Sequence, residues 1–254
     1  MKTKAGIMGL VLLLLVGASA WAKEEKRPLR IGHRGTRALV DEDTLESLKA
    51  AAEIGVDMLE FDIQQTQDGV LVIMHDETVD RTTDGHGRID QMTLGQFREL
   101  KTKSGYTPPT LDEVLDWLAT NDLGFILDFK IPDPQLAERL VATIEQRGMI
   151  DRAVFESPVP RVAGQVEKIK PEAVTAIYPK SMPLMLILAE KYNVDQVSYQ
   201  WIFATPGQIL LAKATHHPVL VWTVNSRGKI RWFRLLNVHG IMTDDPNLFQ
   251  AEKN

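Results

Sequence analysis

GFILDFKIPDPQLAERLVATIEQRGMIDRAVFES, residues 124–157, opens on an apolar run fit for a buried strand, continues through a stretch with a 3.6-residue apolar period, and ends on a second apolar run, AVFES. An amphipathic segment between two buried strands is the pattern of a parallel β/α unit, because parallel neighbours need a crossover connection. The unit recurs along the chain. Strand-like runs occur at LRIGH (29–33), MLEFDI (58–63), VLVIMH (70–75), VTAIY (174–178), VDQVS (194–198), PVLVWTV (218–224) and HGIMT (239–243). Periodic stretches such as TLESLKAAAEIG, TLDEVLDWLATN, VPRVAGQVEKIKP, SMPLMLILAEKYN, TPGQILLAKAT and SRGKIRWFRLLNVH lie between most of them. VLVIMH pairs best with MLEFDI as a hairpin through the turn at Asp68-Gly69, which leaves eight principal strands. Eight units of this length predict an α/β chain closed into a (β/α)8 TIM barrel, and no Gly-rich dinucleotide loop follows the first strand. Residues 76–108 have little periodicity and are rich in Thr, Asp and Gly, which reads as a rim insertion after the second strand region.

The N-terminal stretch has a different character. Lys2 and Lys4 precede the uncharged run IMGLVLLLLVGASAWA, and KEEKR follows it, the three-part layout of a secretory signal peptide. Ala20 and Ala22 suit cleavage after residue 22, with a cut after Ala20 using Ala18 also open; a retained anchor is the competing reading, but the run is shorter than a comfortable bilayer span. The expectation is an exported protein, periplasmic or extracellular, with no stable membrane span after cleavage. Residues 23–254 then form one domain, and loss of the two lysines takes the formal charge from -5 to -7. A modestly acidic chain without basic runs has no electrostatic reason to hold nucleic acid. With no cysteine, disulfides, thiolate chemistry and thiolate metal sites are excluded.

Ionisable residues cluster at the strand ends. His33-Arg34 closes the first strand and His75-Asp76 closes VLVIMH, while Glu60 with Asp62, and Asp128 with Lys130, are two apart on a strand and face the same side. Taken singly, each has a plainer reading: a structural ion pair, a packed histidine, or a mutual Asp128–Lys130 contact. In a barrel these ends converge on one mouth. Three carboxylates beside two histidines, an arginine and a lysine are expensive to bury together without a ligand or ion, and a hard divalent cation is the simplest neutraliser. The chemistry suggested is phosphoryl transfer: Arg34, Lys130 and a cation hold a phosphodiester's charge, and two histidines divide base and acid roles. A glycosidase leaves the histidines and cations unexplained, and no His-Glu-x-x-His run points to a zinc hydrolase.

The linked motifs IGHRG, DEDTLESLKAAAEIGVDMLEFDIQQTQDGVLVIMHDETVDRTTDGHGRIDQMTLGQF, TPPTLDEVL, LDFK, WTVN and GIMTDDP, over residues 29–246, closely resemble the glycerophosphodiester phosphodiesterase family. The resemblance implies a metal-dependent barrel enzyme that hydrolyses glycerophosphodiesters to glycerol 3-phosphate and an alcohol. It implies His33 and His75 as the acid/base pair, Arg34 and Lys130 on the phosphate, and Glu60, Asp62 and Asp128 as ligands of one cation, Ca2+ or Mg2+. Trp222 would line the pocket, and Glu42 would organise the site beside His33 or Arg34. Arg81, in Arg81-Thr82-Thr83, is expected to pair with a nearby carboxylate. Three departures stand out. Asp43 replaces the usual asparagine before the helix and is expected to cap it. Asp128 stands where the family often has glutamate, and Phe155-Glu156-Ser157 replaces a Ser-Phe pair, with an expected effect on the substrate rim. A lysophospholipid or other lipid head-group phosphodiesterase, and an exported binding protein without turnover, are the competing readings. Oligomeric state is left open by the sequence.

Overall fold

The computed structural model describes residues 27–178 and 184–250, so the expected signal segment lies outside the described residues. The strands are β1 (Leu29–Gly32), β2 (Met58–Gln65), β3 (Leu71–Ile73), β4 (Gly124–Phe129), β5 (Ala153–Ser157), β6 (Val174–Ile177), β7 (Gln196–Gln200), β8 (Val219–Trp222) and β9 (Gly240–Thr243). Between them run α1 (Leu45–Ile54), α2 (Leu94–Glu99), α3 (Leu111–Leu118), α4 (Pro134–Gln146), α5 (Pro160–Ile169), α6 (Met185–Tyr192), α7 (Pro206–Ala214) and α8 (Arg227–Leu235). The hydrogen-bonded order β1-β9-β8-β7-β6-β5-β4-β2-β3 closes on itself through a β1–β2 pairing, so every strand but β3 belongs to one parallel (β/α)8 barrel. The extra strand β3 runs antiparallel to β2, with Ile63 opposite Ile73, and the joining turn needs Gly69 at φ 84°. This is the hairpin expected from Asp68-Gly69.

Alternation along the strands sorts the chain into two cores. Leu59, Phe61, Phe125, Leu127, Phe129 and Phe155 face outward and pack against helical residues such as Leu48, Leu115 and Leu140. The alternate positions face the barrel axis, where Ile31, Ile126, Val154, Ala176, Leu220 and Met242, all strand residues, form an apolar floor. The period of two that sends Phe61 outward sends Glu60 and Asp62 inward, above that floor. Burial of the two carboxylates is therefore a consequence of strand register.

Two expectations need correction. The rim insertion is more ordered than its sequence suggests: Ile89–Gln91 forms a 3-10 turn and α2 a short helix, held by a capping box between Thr93 and Gln96. Val72, Met74, Val79, Ile89, Phe97 and Leu100 give it a small core of its own. Six residues are too few to establish a helical period, but the Thr93-x-x-Gln96 signature was there to be read. The second correction concerns β7, which begins at Gln196, two residues after the expected start. Asp195 is occupied otherwise: its carboxylate accepts from Thr175 N at 2.9 Å and its own N–H donates to Thr175 Oγ at 3.2 Å, tying the barrel below the strand ladder.

Candidate active site

The turn after β1 explains the sequence His33-Arg34-Gly35. Arg34 and Gly35 both take positive φ, 51° and 81°, and a Cβ on Gly35 would lie 2.5 Å from the Ser47 backbone. The turn is fixed by Thr36 N donating to Ser47 Oγ at 2.8 Å, by Ser47 Oγ donating to Arg34 O at 2.9 Å, and by Arg34 N donating to Glu60 Oε2 at 2.9 Å. Arg34 is thereby turned inward and buried. Behind it sits Glu42, which accepts from Arg34 at 2.6 Å and Arg81 at 2.7 Å and pairs with Arg37 at 2.8 Å. Burial opposes ionisation of Glu42, but Arg81, Arg34 and Arg37 outweigh it and hold its carboxyl at about 2. Glu42 thus organises the site through Arg34, and Arg81 pairs with carboxylates as expected, reaching Asp76 as well.

Asp43 does not cap α1. Thr44 does, its side chain accepting from Ser47 N, while Asp43 adopts φ 56° and turns into the barrel, where its Oδ1 accepts from Asp62 N at 3.3 Å. The left-handed conformation that Asp tolerates well leaves the neighbouring threonine in extended geometry for capping.

The acids on β2 and β4 come together. Glu60, Asp62 and Asp128 are all buried, and each offers a carboxylate oxygen within 4.8 Å of the others. Lys130 bridges Asp62 and Asp128, with Nζ 2.7 Å from Asp128 Oδ2, and the two carboxylates outweigh burial to keep the ammonium charged. Burial also works against ionised Asp62, but Lys130 and Arg34 overcome it and hold the carboxyl low. Glu60 is pushed well above the usual range by burial and by the charges of Asp62 and Asp128, and burial is the main reason Asp128 rises to about 6. Arg34 Nε lies 3.1 Å from Asp62 Oδ2, yet neither atom has a hydrogen-bond partner. The two attract as an ion pair without the geometry of a hydrogen bond, so the Asp62 oxygen keeps a lone pair uncommitted. Hard oxygen donors, two acids that resist ionisation and an orphaned Asp62 oxygen together fit a divalent cation.

Both histidines have one ring nitrogen fixed by a carboxylate. His33 Nδ1 is 2.5 Å from Asp244 Oδ1, and Asp244 in turn accepts from Asn225 Nδ2 at 2.6 Å. His75 Nδ1 is 2.6 Å from Asp76 Oδ1, and Asp76 is held at about 2 chiefly by Arg81. An Nδ1–H donated to a carboxylate leaves Nε2 of the neutral ring as the proton acceptor. Burial pulls His75 below its usual value, partly countered by Asp62, so its ring is neutral near pH 7.

His33, Arg34, Glu60, His75, Asp128, Lys130 and Trp222 line one cavity of about 70 Å3 at the barrel mouth, with Asp62 buried beside it and Glu42 behind Arg34. All nine residues expected from the sequence are therefore in or against one site. Asp244, Asn225 and Tyr178 join the site without having been expected there, and Glu156 was expected only to affect the substrate rim. Asp244 and Asn225 fall in GIMTDDP and WTVN, segments that carry the family resemblance but imply no role for these two residues. Tyr178, at the end of VTAIY, donates to Asp128 at 2.6 Å and packs edge-on against Trp222 with ring centres 5.6 Å apart. Glu156 faces the cavity lining instead of the substrate rim, and burial lifts its carboxyl to about 8. Beyond His75 and Lys130 a wider cleft of about 420 Å3 opens, lined by polar groups including Gln64, Thr66, Glu77 and Arg88.

These raised acids give the metal-free chain a pH-dependent stability. Asp128 at about 6, Glu156 at about 8 and Glu167, lifted by burial to about 7, keep protons that the unfolded chain releases near the ordinary carboxylate value. Their contribution is full below the ordinary carboxylate value and is lost as pH rises, from about 4 to about 8, whereas the acids held low, such as Glu42 and Asp76, have given theirs in full above about pH 5. His75 and His239, both lowered by burial, act in the opposite sense, but they are two groups against five, since Glu60 and Asp43 are raised as well. The melting temperature of metal-stripped protein is expected to fall by several degrees between pH 5 and 8, and to fall less with calcium or magnesium present. A flat profile in scanning calorimetry would contradict the assignment.

A phosphodiester at this mouth would meet fixed positive charge for its oxygens and a proton acceptor and donor on separate strands. Fold and site together define a (β/α)8-barrel phosphodiesterase. The profile of the Glycerophosphoryl diester phosphodiesterase family matches residues 33–248, and the chain belongs to that family. It is 30% identical over 236 residues to a glycerophosphodiester phosphodiesterase of Caldanaerobacter subterraneus, covering 87% of this chain and 95% of the relative. A Bacillus subtilis glycerophosphodiester phosphodiesterase is 27% identical over 278 residues, covering 97% and 94%. Among solved structures, an Oleispira antarctica phosphodiesterase in complex with the product sn-glycerol-3-phosphate superposes with a TM-score of 0.77 at 25% identity, covering 87% of this chain and 94% of the other.

Proposed function

We propose that this chain hydrolyses glycerophosphodiesters to glycerol 3-phosphate and an alcohol, with His33 and His75 as the proton-transfer pair. The observation that carries this reading is the pair of imidazoles, each with Nδ1 held by its own aspartate, lining one cavity with Arg34 and Lys130. The Arg34 guanidinium, which lines the cavity, offers a donor to a phosphate oxygen, and Lys130 neutralises charge that builds up on another. One histidine Nε2 takes the proton of the attacking hydroxyl, and the other, protonated, delivers one to the departing alkoxide. Glu60, Asp62 and Asp128 would hold a single Ca2+ or Mg2+, which supplies electrostatic polarisation of a non-bridging oxygen. Trp222 and Tyr178 supply a wall for the glycerol moiety, and the polar cleft beyond His75 gives the alcohol room.

Release of glycerol 3-phosphate from glycerophosphocholine and glycerophosphoethanolamine by the purified mature protein tests the reading, with EDTA and then added cation. Cation-restored release is expected; no turnover with any cation would sink it. A second reading, action on lysophospholipids, draws support from exposed Leu39, Leu184, Ile202 and Phe203 on loops after β1, β6 and β7, and lysophosphatidylcholine belongs in the same assay. The signal-like leader supports export to the periplasm or exterior, to be checked by fractionation. No described helix is long and apolar enough to cross a membrane.

Asp244 tests the proton logic separately. In Asp244→Asn an amide N–H can donate to His33 Nδ1, which drives the ring proton to Nε2 and removes the carboxylate that supports a protonated ring, impairing His33 as base or as acid. A loss in kcat on the order of 10²-fold or more is expected with little change in KM. A variant with unaltered kcat would remove His33 from the mechanism as written.

A further inference from the structure

Glu156 is the one buried acid facing the cavity to which the mechanism above gives no work. It is 3% exposed, its Oε1 is sealed from solvent without a hydrogen-bond partner, and it forms no salt bridge among the described residues. Ser198 is a polar neighbour, and a buried carboxylate with an unpartnered oxygen and no cation within salt-bridge distance is costly unless something positive is meant to meet it. Its position in the sheet says where. Asp62 is in register with Asp128, and Asp128 with Glu156, so carboxylates stand side by side on β2, β4 and β5. Adjacent strands are about 4.8 Å apart, within the reach of a glutamate side chain. Glu156 is not one of the three acids already clustered within 4.8 Å, but it lines the same cavity as Glu60 and Asp128.

We propose that Glu156 is a fourth carboxylate of the cation site, approaching from β5, and that it biases the site towards calcium over magnesium. Calcium accepts six to eight oxygens at irregular angles, whereas magnesium demands a tight octahedron and keeps most of its water. A fourth acid beside the short Asp128 adds an oxygen that only the larger ion can use fully. The inference rests on the cation site of the proposed function.

Calorimetric titration of CaCl2 and of MgCl2 into EDTA-stripped mature protein tests it without recourse to turnover. Glu156→Gln is expected to weaken calcium binding by about 10–100-fold and magnesium binding much less. Glu167→Gln, which removes a buried acid away from the mouth, is expected to change neither. Unchanged calcium affinity in Glu156→Gln, or an equal loss for both ions, overturns the proposal. Glutamine is close in shape to the neutral, protonated Glu156 of the cation-free chain and is expected to fold; if it does not, Glu156→Asp keeps the carboxylate, withdraws it by one methylene and is read by the same criterion. Should the unaltered chain bind neither ion, the cation site itself fails; should it bind calcium and Glu156→Gln bind it equally, only the role of Glu156 fails.

Discussion

Alanine at His33 or at His75 is expected to lower kcat by about 10²–10⁴-fold, the usual worth of a positioned general acid or base, with KM changed little. Neither imidazole carries the fold: each is fixed by its own aspartate at the end of a strand, His33 by Asp244 and His75 by Asp76. The variants should therefore remain folded and bind cation normally, which separates a catalytic defect from a structural one. Because in the proposed reaction the two rings act together, one as base and one as acid, the double variant should lose far less than the product of the single losses. Turnover of either single variant close to that of the unaltered enzyme would remove that histidine from the chemistry.

Stripping the cation is expected to have an effect of similar size. Polarisation of a phosphoryl oxygen is worth several kcal/mol, and each 1.36 kcal/mol is tenfold in rate, so EDTA should lower turnover by about 10³-fold or more. Glu60→Gln should reproduce the loss and resist rescue by added calcium, since Glu60 is one of the three clustered acids and also receives the N–H of Arg34. The Arg34 contact predicts a second consequence, a raised KM, because the turn that aims the guanidinium at the phosphate loses its charged anchor. Full activity after exhaustive chelation would show that Lys130 and Arg34 suffice for the phosphate charge, and the carboxylate cluster would need another explanation.

The barrel was legible because its signal is repetitive. Apolar runs and amphipathic stretches alternate, and a closed parallel sheet satisfies them with short connections. The inward acids were legible for the same reason, since the spacing of Glu60 and Asp62, or of Asp128 and Lys130, needs only a period of two. What escaped depended on contacts between distant segments. Nothing local marks Asp244 as the partner of a histidine 211 positions earlier in the chain. Glu156 reads locally as a polar residue at a strand end, and its burial follows only from the register of β5 against β4. Asp43 shows the converse failure: a good capping residue was available, but the barrel interior claimed it and left the cap to Thr44.

The floor of Ile31, Ile126, Val154, Ala176, Leu220 and Met242 closes the barrel beneath the acids. Traffic through the site is consequently confined to a single doorway. In the proposed reaction the anionic product retreats past the same arginine and lysine that met the substrate, so glycerol 3-phosphate is expected to be a competitive inhibitor.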